Sequence, residues 1–136
     1  MDGDGRRSLY TAVPRNFLPT MMVAFDYPTP FSTVGRRNVT NVPAQSLTMM
    51  NDPFIREQAG VWAARLLREL PGASAECRVA HLFTSGFTRT PHEAEMSAAM
   101  ELLAELRALY AGQSEAAVWT EFCHALINAN DFIYLK

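Results

Sequence analysis

The sequence predicts a mainly α-helical fold: about five helices in an irregular bundle, preceded by an extended segment rich in proline and aromatic residues. Three observations predict it. From Pro43 onward, apolar residues recur at spacings of three and four, the period of an amphipathic helix. Residues that cap or open a helix precede these stretches, and Gly or Pro closes most of them. Before Pro43 neither holds. Pro14, Pro19, Pro28 and Pro30 stand among Tyr10, Phe17, Met21, Met22, Phe25, Tyr27 and Phe31, and proline this dense prevents long helices.

Residues 1–42 read as an extended, irregular segment lying against a hydrophobic surface, since their aromatic content is wrong for a polar linker. That surface belongs either to the rest of this chain or to a missing partner. Short β-strands around Leu9–Val13 and Met21–Phe25 are compatible with this reading. The helical part is residues 43–136. Pro43 suits a first helical position, and Ala44 to Met50 follow without a breaker. Asn51-Asp52-Pro53 is a stop and a restart, with Asp52 as cap and Pro53 opening a helix to about Leu70. Ile55, Ala59, Trp62, Leu66 and Leu70 form its buried stripe, and Arg56, Glu57, Arg65 and Glu69 occupy other faces.

Pro71-Gly72 breaks the chain. Ser74 is placed to cap a helix from Ala75 to about Ser85, with Val79, Leu82 and Phe83 inward and Gly86 ending it. Thr90-Pro91-His92-Glu93 reads as a capping box, Thr90 the cap and Glu93 reaching back, that opens a helix to about Tyr110. Met96, Ala99, Leu103, Leu106 and Tyr110 line one side of it, and Gly112 stops it. Ser114 is placed to cap a last helix, Glu115 to about Asn128, burying Val118, Phe122 and Leu126. Asn130-Asp131 is expected to turn the chain before an apolar tail, Phe132-Ile133-Tyr134-Leu135, that docks on the core.

The chain of 136 residues suits one domain and is too short for two ordinary ones. With 49% hydrophobic and 19% charged residues, it is globular in composition rather than disordered. Twelve basic residues against fourteen acidic ones give a net charge of −2, and tight basic pairs occur only at Arg6–Arg7 and Arg36–Arg37. That balance argues against nucleic acid as a partner. All basic residues but Lys136 are arginine, which fits either hydrogen-bonded, partly buried positions or a genome that favours Arg codons. No apolar run approaches the ~18 residues of a membrane span, and the N-terminus leads into no signal core.

Cys77 and Cys123 cannot make a structural zinc site or a disulfide framework alone, and both read as small buried hydrophobes. Cys123-His124 ends like a haem-attachment motif, but Thr120 stands where the other cysteine would be. His81, His92 and His124 have no metal-ligand spacing. No phosphate loop or nucleophile elbow is present. The densest polar cluster runs from Gly35 to Gln45 and resumes at Asn51-Asp52. Arg36 or Arg37 is a candidate to bind an anionic or sugar ligand, with Gln45, Asn41 and Asn51 supplying directional hydrogen bonds and Asp26 and Asp52 lining the same site. The reading preferred from the sequence is structural: Arg and Asn satisfy backbone carbonyls, Asn51 and Asp52 cap helix ends, and Asp26 is a turn former first.

Several short motifs occur in order along the chain. They are Arg6-Arg7-Ser8-Leu9-Tyr10, Phe25-Asp26-Tyr27-Pro28, Arg37 with Thr40 to Leu47, and Met50-Asn51-Asp52-Pro53. Phe87-Thr88-Arg89-Thr90-Pro91 with Glu93 and Glu95, Ala125 to Asn128, and Asn130 to Tyr134 follow. Together they resemble the C-terminal portion of the planctomycete cytochrome-linked domain of unknown function 1553. The resemblance implies a fragment of a larger, periplasmic or secreted multidomain protein with no established activity and hence no catalytic residues to assign. It implies haem c in a missing upstream domain and none in this chain, and partners that include those upstream domains, a partner protein or carbohydrate. The chain begins, at Met1, in what resembles the middle of the family domain, so the expected role is a non-catalytic structural or interaction module. The alternative is part of an enzyme or carbohydrate site built around the Arg36-Arg37 to Asp52 cluster.

Overall fold

The computed structural model of the chain describes residues 10, 18, 20–28, 35–36 and 43–133. Among these it contains seven helices and no strand: α1 (Thr20–Ala24), α2 (Pro43–Asn51), α3 (Pro53–Glu69), α4 (Ala75–Phe87), α5 (Glu93–Leu109), α6 (Glu115–Ile127) and α7 (Asn130–Ile133). The mainly helical class read from the sequence holds. The chain divides into two compact units, Met1–Phe54 and Ile55–Lys136, with α3 crossing the division.

In the first unit α1 packs against α2, and Met49 of α2 is buried. The expected strand at Met21–Phe25 is a helical turn instead: Met and Ala favour helix, and Phe25 N–H reaches back to Met21 O at 3.2 Å. Asp26 closes it at φ 57, with Asp26 N–H on Val23 O and Tyr27 N–H on Met22 O at 2.9 Å. That pairing is a Schellman ending, which needs a left-handed residue and takes aspartate with little strain. The other expected strand, Leu9–Val13, lies outside the described residues apart from Tyr10.

The second unit is a helical bundle in which α5 packs against α4 and α6, and α7 against α4 and α6. Its core holds Ala59, Ala63 and Leu66 of α3, Val79 and Leu82 of α4, Leu103 of α5, and Trp119, Phe122 and Cys123 of α6. The stripes of α4 and α6 are as expected; on α3, Ala63 is buried while Trp62 and Leu70 are only half-buried. Ser74 and Ser114 cap α4 and α6, each accepting a third-residue N–H at 3.3 Å.

Three boundaries differ from the expectation. Gly86 does not end α4. The helix runs to Phe87, whose ring meets Phe83 one turn back at 5.1 Å, and Thr88 closes it at φ 59. Gly86 serves close approach instead, because a Cβ there would stand 2.9 Å from Cη2 of Trp62. The capping register of α5 is shifted by two residues: His92 is the extended N-cap residue, and Glu95 rather than Glu93 reaches back, accepting His92 N–H at 2.8 Å. Glu95 is also held in place by Arg89, six residues earlier in the chain. Asn130-Asp131 opens α7 rather than turning an extended tail. The docking itself is real for Phe132, whose ring lies 6.3 Å from Trp62 and 6.4 Å from Phe87.

Candidate functional site

The candidate residues read from the sequence all fall in the first unit. Asp26 is the half-buried residue after α1, and its backbone makes the turn just described. Arg36 is exposed, Gln45 is half-buried on α2, and Arg37 and Asn41 lie outside the described residues. Asn51 donates through Nδ2 to Leu47 O at 3.0 Å, one turn back on its own helix. Asp52 accepts Phe54 N–H at 2.9 Å through Oδ1, capping the start of α3. Two of the seven therefore spend polar atoms on local backbone, as helix-end residues do.

The denser polar chemistry lies in the second unit, around two arginines that the sequence reading did not single out. Arg78 is buried, and it is the one charged residue so placed among the described residues. Its Nε and Nη2 donate to Leu70 O at 3.3 and 3.2 Å, joining the Ala73 N–H that reaches the same carbonyl at 3.4 Å just after α3 ends. Its Nη1 donates to Oε1 of Glu115 at 2.7 Å, and the guanidinium lies 5.6 Å from the Trp119 ring. Trp119 Nε1 donates to the same Oε1 at 3.2 Å. That indole N–H, with the Arg78 charge second, holds the Glu115 carboxyl below its ordinary range. One signal was available: Arg78 sits four residues before Leu82 and next to Val79, on the apolar stripe itself. An arginine on a stripe has to find partners inside.

Arg89 joins three helix ends. Its Nη1 and Nη2 grip Glu95 Oε2 and Oε1 at 2.7 and 2.6 Å, a two-pronged pair at the start of α5. Nη2 also donates to Oδ2 of Asp131 on α7 at 2.7 Å. The guanidinium lies over Phe83 and Phe87 of α4, 5.7 and 5.9 Å from the ring centres. Arg89 first, and the His92 N–H second, push the Glu95 carboxyl down to about 2. The two carboxylates, in return, raise the Arg89 pKa.

Glu95 is an ionised acceptor at neutral pH. It has no proton to give as a general acid. What the arrangement does is bind segments together. Arg89, Glu95, Asp131, Phe87 and Phe132 all belong to the motifs quoted above, and folding gathers them at one place. Their spacing of up to 42 residues hid this in the sequence. Elsewhere the titratable groups are simpler. Burial pushes the Cys123 thiol up to about 12, whereas Cys77 is exposed, a correction to its reading as buried. With a buried Cys123 and Thr120 three residues before it, the segment does not fit covalent haem attachment. Among the described residues no group of three His, Cys, Asp or Glu is placed to hold a metal ion. Among them, too, no helix is long and apolar enough to cross a membrane.

Fold and site together define an all-helical module whose arginine-centred polar clusters clamp helix ends. The chain belongs to the PSD1 family, described as a protein of unknown function (DUF1553), whose model matches residues 1–103. No curated protein and no solved structure matches it.

Proposed function

We propose that the chain is a non-catalytic structural or interaction module forming the C-terminal end of a larger exported multidomain protein. The observation that carries this is Arg89: a single guanidinium spends its hydrogen bonds on Glu95 and Asp131 and its faces on Phe83 and Phe87. Side chains that would draw attention as catalytic candidates are thereby consumed in packing. The backbone bonds of Asn51 and Asp52 favour the same reading over a carbohydrate site at that cluster. The larger, periplasmic or secreted protein and its upstream haem c domain come from the motif resemblance.

The test is the intact mass and cell fraction of the native gene product. The expected result is a polypeptide well above 15.2 kDa in the periplasmic or secreted fraction. A 15.2 kDa product confined to the cytoplasm overturns the proposal.

A further inference from the structure

The place where α7 sits is a slot with recognition chemistry of its own. Its apolar walls are the rings of Trp62 on α3 and Phe87 on α4, and the Phe132 ring meets both. Gly86 keeps the Trp62 wall where it is, because any side chain there would run into the indole. Arg89 stands at the same site and takes the Asp131 carboxylate on Nη2. Acid and ring are adjacent residues, so the slot reads a pair: a carboxylate by charge and geometry, then an aromatic ring by stacking.

The occupant is slight. α7 has four residues, none of them buried, and Phe132 stays 44% exposed despite its two ring contacts. It follows α6 after Asn128, which keeps helical backbone angles, and Ala129. A short element with little buried surface opens at far lower cost than the bundle unfolds. When it leaves, the receptor does not collapse: Glu95 still grips Arg89 with both oxygens, so the guanidinium stays aimed.

We propose that Trp62, Phe87 and Arg89 form a binding site for a peptide segment carrying an acidic residue directly followed by an aromatic one, and that α7 closes this site in cis. The partner's carboxylate replaces that of Asp131 on Arg89, and its ring replaces Phe132 between Trp62 and Phe87. This deepens the interaction-module reading and rests on it. The cis segment competes at an effective concentration of millimolar order, roughly that of a short flexible tether. The closed protein therefore binds weakly, and a partner gains access by displacing α7.

The test uses the full chain and a fluorescein-labelled peptide with the sequence of residues 129–136, read by anisotropy. A Phe132→Ala chain is expected to bind the peptide saturably and at least about tenfold more tightly than the unaltered chain, because its own segment no longer competes well. Replacing the aspartate of the peptide by asparagine, or its phenylalanine by alanine, is expected to weaken binding to that chain by about tenfold or more. Should Phe132→Ala not fold by circular dichroism, Asp131→Asn takes its place with the same expectation. Equal affinity of the unaltered and opened chains, no saturable binding to a folded opened chain, or indifference to both peptide changes overturns the proposal. Such a failure leaves the mass measurement of the native product untouched, so the two readings fall separately.

Discussion

Replacing Arg78 by methionine is expected to cost about 2–3 kcal/mol of stability, and the figure can be assembled from its surroundings. Methionine keeps most of the side-chain volume, so the cavity contribution is small. The Leu70 carbonyl loses two donors at 3.2 and 3.3 Å and keeps only the longer Ala73 N–H at 3.4 Å, a loss of about 1–2 kcal/mol for a partly buried acceptor. The contact with the Trp119 ring adds about 0.5–1 kcal/mol. The ion pair with Glu115 adds about 1 kcal/mol at most, because that carboxylate is 54% exposed and keeps the Trp119 N–H. The cost of about 3–5 kcal/mol seen on breaking wholly buried pairs does not apply, since no charge is stranded away from water. At roughly 4 °C per kcal/mol for a chain of this size, the midpoint falls by about 10 °C. Urea unfolding at neutral pH followed by far-UV circular dichroism measures it, with an unchanged m-value showing that the folded state is intact. Arg78→Lys is the informative partner: it keeps the charge but loses the fork that reaches carbonyl and carboxylate together, and is expected to restore less than half the loss. Arg78→Met within about 0.5 kcal/mol of the unaltered chain, or Arg78→Lys indistinguishable from it, refutes the reasoning.

Two further outcomes follow from the titratable groups. Glu95 has a folded-state pKa of about 2, below its ordinary 4.5, so its contribution to stability is full above the ordinary value and is lost as pH falls toward about 2. Urea midpoints measured through that acid window are expected to drop steadily, and Arg89→Met is expected to flatten the drop, since Arg89 is the first cause of the shift. Thiol titration with a disulfide reagent is expected to find one fast-reacting cysteine in the native protein, the exposed Cys77, and the second only after unfolding, because Cys123 is buried with its thiol pushed up to about 12.

The helices were legible wherever the deciding forces are local. Asp52, Ser74 and Ser114 cap where capping chemistry places them, and the stripes of α4 and α6 are the buried faces. The reading failed where a distant residue decides. The start of α5 is a different case: it moved from Thr90 to His92, where Glu95 pairs with Arg89 only six residues back, a tie that a capping pattern does not contain. Residues 130–133 are helix where Asp131 meets Arg89 in the α4–α5 connection and Phe132 meets Phe87 of α4, both far away in sequence. Gly86, a stop by local rules, is needed by a tryptophan 24 positions earlier in the chain. The polar cluster from Arg36 to Asp52 was visible because its members are neighbours in sequence. The Arg78 and Arg89 clusters were not, because their carboxylate partners reach 37 and 42 residues away.

The two bridging guanidiniums also bear on the near-exclusive use of arginine over lysine. Arg65 makes its single bond to Glu69 on the solvent side, a task an ammonium performs about as well. Arg78 and Arg89 each address two or more acceptors in fixed, diverging directions while a flat face rests on an aromatic ring, which a compact ammonium cannot do. Codon drift between the two basic residues is therefore open at position 65 and closed at 78 and 89. In descendants of this sequence shaped by a different base composition, lysine would spread over the surface and stop at the two positions that hold the bundle shut.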